Sequence, residues 1–352
     1  MRAVASCHSS ARVRAALEHR STRARTLLAI GKAASAMAHG AVAALGPMSG
    51  LVITKDEVDA PSGMELLHAG HPFPDVRSVL ATQRAIELCR AVSASDELLV
   101  LLSGGTSALL GGPLAGESLD ELRALTDQLL RSGATIDQVN AVRRRHGAAL
   151  GGRLLRATHA SIRALVVSDV LSGDLRTIGS GPLHPDDPTE QERAQLDVEI
   201  IASPELLLDE AAAQLRHFTC TTSLHGGTME SLIAELAAAL ARLGPGEASI
   251  VVGEPTIEVT GGGRGGRCQH AALALLSCLP PDCAALALAS DGSDGPTMAA
   301  GGLVHAEMRH DVRAALANHD SGPALESLGG LVVTGPTGTN LTDLYIVARA
   351  PD

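Results

Sequence analysis

Short apolar runs that end at glycine or serine, each coupled to a segment of helical composition, set the tightest constraint on how this chain folds. TLLAIG (26–31) leads into KAASAMAHGAVAAL (32–45), and GLVIT (50–54) is a second such run. DVRSVLATQRAIELCRAV (75–92) has helical composition and precedes ELLVLL (97–102); SIRALVV (161–167) closes the series. Runs this short and this apolar read as strands buried on both faces. Between them, SLDELRALTDQLLRSG (118–133) offers Ser118 as N-cap, Glu121 at N3 and Gly133 as a stop, the pattern of a capped helix. IDQVNAVRRRHGAALGGRL follows as a helix with a basic middle. Strands alternating with helices predict an α/β fold with a doubly wound, mostly parallel sheet. Ligands of such sheets sit beyond the carboxyl ends of the strands. The loops GKAASA, SGGTSALL and SDVLSGD, which follow residues 30, 102 and 167, are therefore expected to lie near one another.

A Pro- and acid-rich stretch (181–199) reads as a surface excursion, and a second α/β series follows the helix-like ESLIAELAAALARLG (230–244). Its apolar segments are ASIVVGE (248–254), TIEVTGGG (256–263), CQHAALALLS (268–277), AALALAS (284–290), LVVTG (331–335) and DLYIVARA (343–350). The expected domains are 1–225 and 226–352. A chain of 352 residues suits two domains with substantial cores. Phe73, Phe218 and Tyr345 are its only aromatic residues, so Leu, Val, Ile and Ala must fill those cores. The scarcity argues against nucleic-acid modules that stack bases on aromatic platforms, and the net charge of -11 argues against a phosphate-backbone partner. The six cysteines form no C-x-x-C pair and read as reduced thiols of a cytoplasmic protein. No apolar run is long enough for a membrane span. The first 25 residues hold six arginines and a single acid, Glu18. They read as a basic helix before the first strand, with the composition of an organellar transit peptide as the alternative. The sequence is silent on oligomeric state and leaves a homo-oligomer open.

Several glycine-rich turns stand at strand ends. No G-x-x-x-x-G-K-[ST] occurs, which excludes a P-loop. Ser103-Gly104-Gly105-Thr106-Ser107 reads either as a phosphate cradle at a helix start or as a tight strand–helix turn. Lys32 begins a helix, against the macrodipole, which favours a ligand role. Asp169, just after a buried strand, reads equally as a general base, a metal ligand or an N-cap. Asp174 and Asp291 are acids of the kind Mg²⁺ takes beside phosphate oxygens. In VTGGGRGGRCQH (259–270), Gly261, Gly263 and Gly266 satisfy G-x-G-x-x-G. The dinucleotide fingerprint usually carries no cation, whereas here Arg264 and Arg267 stand within or beside the glycines. Two guanidiniums suit a small, highly charged anion.

GKAASAM, AGHPFPD (69–75), LLSGGTSALL (101–110), LLRSGATIDQVNAVRR (129–144), GGRL (151–154), VVSDVLSGD, IGSGPLHPDDPT (178–189), GGGRGGRCQHAALAL, SDGSDGPTMAAGG (290–302) and TGPTGTNLTDLYIV (334–347) together resemble the glycerate 2-kinase family. The matches come in family order over residues 26–349. The resemblance implies a Rossmann-like N-terminal domain, a smaller C-terminal MOFRL domain and an active site in the cleft between them. It implies phosphorylation of D-glycerate, a small-molecule substrate, to 2-phosphoglycerate with ATP and Mg²⁺. The family's cleft lysine falls on Lys32, its strand-end aspartate on Asp169, and its C-terminal arginine on Arg264 or Arg267. Older members were labelled hydroxypyruvate reductases, which matches the literal fingerprint and stands as the second reading. The family's VRKHLS-x-I-KGGRL here has Gly147 and Leu150, its GGRNQE has Cys268 and His270, and its DGPTDAAG has Met298.

Overall fold

The computed structural model describes residues 2–20, 22–132, 136–171, 173–308, 310–339 and 341–352. Gly133, the expected helix stop, lies outside them, as do Ser172 and Asn340 within two of the motifs. The chain forms two compact units. One is Ser9–Ser203; the other is Pro204–Asp352 together with the leading residues up to His8.

The first unit is built on a six-stranded sheet: β1 (Thr26–Ile30), β2 (Ser49–Thr54), β3 (Met64–His68), β4 (Glu97–Leu102), β5 (Ser161–Val167) and β6 (Leu196–Ala202). All pairs are parallel and the order is β3-β2-β1-β4-β5-β6, the doubly wound arrangement of Rossmann folds. The order reverses between β1 and β4, so the loops leaving these two strands flank the topological switch point. Leu28, Ile30, Leu98, Val100 and Leu102 fill a core without aromatic residues together with Ala81, Ala85 and Cys89 of the helix Val76–Ala91. Asp75 caps that helix by accepting from the Arg77 and Ser78 amides.

The segment 181–199, read as a surface excursion, ends in β6. That strand is held by a buried arginine: Arg163 of β5 pairs with Asp197 at 2.7 Å and with Glu199. Charged residues on an edge strand disguise it in the sequence.

The second unit carries β7 (Thr219–His225), β8 (Glu247–Gly253), β9 (Cys283–Ala289), β10 (Gly301–His305), β11 (Leu331–Val332) and β12 (Asp343–Arg349). Their order is β11-β10-β9-β12-β8-β7. Only β7 and β8 run parallel; the remaining pairs are antiparallel. The units divide at 203/204 rather than 225/226 because β7 pairs along its whole length with β8, and the helix Pro204–Gln214 packs on both. TIEVTGGG is not a strand. Thr256 makes one isolated bridge to Thr228, and the chain then runs irregularly. Among the described residues no helix is long and apolar enough to cross a membrane.

Candidate functional site

At the switch point the two glycine-ended strands lock their loops together. The Lys32 amide donates to the Gly104 carbonyl at 2.9 Å, and the Ala33 amide to the Ser103 hydroxyl at 3.1 Å. The Thr106 hydroxyl donates back to the Ser103 carbonyl at 2.8 Å, and the Ser107 hydroxyl meets that of Ser180 at 2.8 Å. The hydroxyls expected to cradle phosphate thus hold the loop in shape. Gly105 has φ +91, and a Cβ there would stand 3.2 Å from His71 Cδ2 and 3.3 Å from Lys32 Cγ. Gly105 is needed both for its left-handed backbone and for the lysine and histidine that crowd it. The helix Ala34–Leu45 starts beside Lys32 with no side-chain cap, so its N-terminal dipole faces the same loop.

Asp169 follows β5, next to β4 on the same carboxyl edge of the sheet. Among the described residues no helix follows before the short turn Ile178–Ser180. The backbone there is turned by Ser168, whose hydroxyl accepts the Val170 amide at 3.1 Å. Asp174 has both carboxylate oxygens on Arg176, at 3.1 and 2.8 Å.

The arginine loop belongs to the C-terminal unit. Its helix, Arg267–Leu276, begins at Gly266, and its first amides are already satisfied. Asp294, buried, accepts from Cys268 at 3.1 Å and from Gln269 at 2.7 Å. A Cβ on Gly266 would lie 2.2 Å from that carboxylate, and one on Gly261 or Gly263 would strike the Asn318 carbonyl. The three fingerprint glycines therefore accommodate protein rather than leaving room for a pyrophosphate at this helix terminus. Arg267 bonds Glu254 at 2.8 Å and Asp343 at 3.2 Å. Burial works against its charge, but those two carboxylates hold its acidity low. Burial raises Asp343 to about 7, against the pull of Arg267, and Tyr345 donates to it at 3.1 Å. Arg264 is exposed, with its backbone amide on Asp320 at 2.8 Å. Asp291 accepts the Ser293 amide at 2.9 Å. A cavity of about 390 Å³ borders this loop, lined by Val259, Gly263, Gly266, Arg267, His270 and His319. The two imidazoles stack at 5.2 Å, and burial followed by the His319 charge lowers the His270 pKa.

Two residues of the first unit escaped the sequence reading. His71 lies against Gly105; burial, then the charges of Lys32 and Lys55, push it down to about 4. Arg143 is half-buried on the helix Ile136–His146, and burial lowers its pKa. The AGHPFPD motif and the three consecutive arginines were visible, but nothing in the sequence aims either at the switch point.

Two family models match the chain: a domain of unknown function, DUF4147, over residues 1–215, and the MOFRL family over residues 247–343. The D-glycerate 2-kinase of Thermotoga maritima is 35% identical over 372 residues, covering 91% of this chain and 89% of that protein. An Agrobacterium vitis protein with a provisional hydroxypyruvate reductase name is 33% identical over 374 residues, covering 90% of this chain and 85% of its own. The crystal structure of glycerate kinase from Thermotoga maritima matches with a TM-score of 0.89 at 31% identity, covering 99% of this chain and 97% of that one. Matched along nearly its whole length, this chain belongs to the glycerate 2-kinase family.

Proposed function

We propose that this protein transfers the γ-phosphoryl group of ATP to the 2-hydroxyl of D-glycerate, giving 2-phosphoglycerate and ADP. The observation that carries the reading is the chain-long similarity to the Thermotoga maritima D-glycerate 2-kinase. In this reaction the bond from the γ-phosphorus to ADP breaks and a bond to the substrate oxygen forms. Asp169 takes the hydroxyl proton as general base. Lys32, beside the uncapped start of the helix Ala34–Leu45, neutralises charge on the transferring group. In the other unit, Arg264 is the better candidate for a phosphate contact, because Arg267 is already matched by Glu254 and Asp343. Mg²⁺ carried in with ATP would supply charge neutralisation for the transferring group and would need only one or two protein carboxylates. Asp291 fits that part better than Asp174, whose oxygens are both engaged by Arg176.

The reductase reading has the Agrobacterium vitis relative in its favour. Its fingerprint glycines, however, have a packing explanation that needs no dinucleotide. A coupled assay with ATP and D-glycerate, with the product position read by phosphorus NMR, separates the two. A 2-phosphoglycerate signal is expected. No product, together with NADH oxidation by hydroxypyruvate, would replace the kinase by the reductase. Within the kinase reading, Asp169→Asn should lower turnover at least about a hundredfold. A loss of under tenfold, roughly 1.4 kcal/mol of barrier, would remove Asp169 as the base.

A further inference from the structure

Among the described residues, the first unit holds a half-buried cation without an internal acceptor. The helix Ile136–His146 carries Arg143, Arg144 and Arg145 in succession, and successive side chains on a helix point about 100° apart. Arg144 is fully engaged, donating to the Arg176 carbonyl at 2.8 Å, to the His184 carbonyl at 3.2 Å and to Asp186. Arg145 is exposed. Arg143 lies four residues beyond the buried Val139 and three beyond Asn140, so it shares their inward face. Asn140 fixes what that face looks at. Its side-chain oxygen accepts from the Ser180 hydroxyl at 3.3 Å, and Ser180 in turn meets Ser107 of the SGGTS loop. Arg143 is also close enough to His71 for its charge to act there, and His71 lies against Gly105 beside Lys32. Among the described residues no carboxylate or carbonyl accepts from the Arg143 guanidinium, and no other half-buried arginine is in that position. Leaving a guanidinium half out of water without an acceptor is unfavourable, which a bound anion would reverse.

We infer that Arg143 binds the carboxylate of the hydroxy-acid substrate and sets the enzyme's preference for an acid over a neutral polyol. The inference rests on the kinase reading above and adds a residue to it. A planar guanidinium matches a carboxylate through two parallel hydrogen bonds, whereas Lys32 offers a compact point charge suited to phosphate. The charges of both cations reach His71, whose pKa, lowered to about 4 by burial and then by neighbouring cations, leaves it uncharged at neutral pH, so it attracts no second anion. In glycerate the carboxylate is one carbon away from the reacting hydroxyl. A carboxylate anchor must therefore lie in the immediate neighbourhood of the group that neutralises the transferring phosphate.

The test compares D-glycerate with its uncharged amide, glyceramide, in wild type, Arg143→Ala and Arg143→Lys. Arg143→Ala should lower kcat/KM for glycerate roughly a hundredfold, mainly through KM, the size expected for a lost charge-assisted bidentate contact. Glyceramide turnover and the KM for ATP should hardly change, and Arg143→Lys should recover part of the loss. Equal losses on glycerate and glyceramide, or a raised KM for ATP, would give Arg143 to the phosphate or to the fold and overturn the inference. Calorimetric binding of D-glycerate separates this from the kinase reading. Wild type that binds glycerate without transferring phosphate would sink the kinase reading alone. An Arg143→Ala variant that binds glycerate as tightly as wild type would sink the carboxylate assignment alone.

Discussion

Replacing Asp294 by alanine should destabilise the C-terminal unit by about 3 kcal/mol. The carboxylate accepts from the Cys268 and Gln269 amides at 3.1 and 2.7 Å, and both residues are fully buried. Alanine leaves two helix-start amides without water or partner, each costing about 1–3 kcal/mol. Part of that is offset, because burial already works against the ionised carboxylate and raises its pKa. Asparagine keeps one acceptor and should cost about half as much. For a unit of this size 1 kcal/mol moves the midpoint by about 2–4 °C, so alanine should lower it by roughly 6–12 °C. Tyr345 is the only tyrosine and there is no tryptophan. It is buried in the same unit, so tyrosine fluorescence during a thermal melt of the full chain reports this unit selectively. A midpoint change below about 2 °C for alanine, or equal losses for alanine and asparagine, would refute the reasoning that Asp294 is the cap of this helix.

Gly105→Ala and Gly116→Ala make a matched pair, since both residues have φ +91 but only Gly105 has neighbours within reach of a Cβ. Each should lose about 1–3 kcal/mol to backbone strain, measured by denaturant titration, while only Gly105→Ala should lose phosphoryl transfer; equal activity losses would show that crowding against Lys32 and His71 is irrelevant. His71 and His184 are both pushed down to about 4, chiefly by burial and then by neighbouring cations. Between pH 6.5 and 4 the unfolded chain takes up protons at these positions and the folded chain does not, so stability should fall as pH drops through that window and level off below it. Imidazole resonances in a proton NMR titration give the check, and a His71 resonance titrating near 6.5 would refute the assignment.

The strands legible in the sequence are those buried on both faces. β1 and β4 are near-continuous apolar runs, and β5 is one apart from its buried Arg163, because a parallel sheet covered by helices leaves no solvent-facing side. β3 is only partly buried, and β6 carries the carboxylates that neutralise Arg163. β7, TCTTSLH, has no buried position, only exposed and half-buried ones. β10 was hidden for another reason. It opens with Gly301 and Gly302, which look like a turn, yet a Cβ on Gly302 would lie 2.8 Å from Ala272 of the helix Arg267–Leu276. Glycine is there to let the helix approach the sheet, not to break the strand. TIEVTGGG failed in the opposite sense: β-branched composition marked a strand, but Val259 is exposed and the segment has no sheet to join.

The same ambiguity of glycine governs the site. A glycine records that something comes close to the backbone without recording what it is. At Gly105 the neighbours are Lys32 and His71, members of the proposed site; at Gly261, Gly263 and Gly266 they are Asn318, Asp320 and Asp294, which belong to the protein's own packing. Sequence alone cannot separate these cases, because the approaching residues lie tens of positions away in the chain. Lys32 and Asp169, which the proposed mechanism uses, could be located from sequence because a strand end in a parallel sheet has its place fixed by topology. Arg143 could not, although its spacing from Val139 already put it on the buried stripe of its helix. What singles it out from Arg144 and Arg145 is the use each guanidinium finds: carbonyls and Asp186 for one, solvent for another. A charge left half-buried without an acceptor among the described residues is the feature that only the folded chain exposes, and it is the ground on which Arg143 is proposed to meet the substrate.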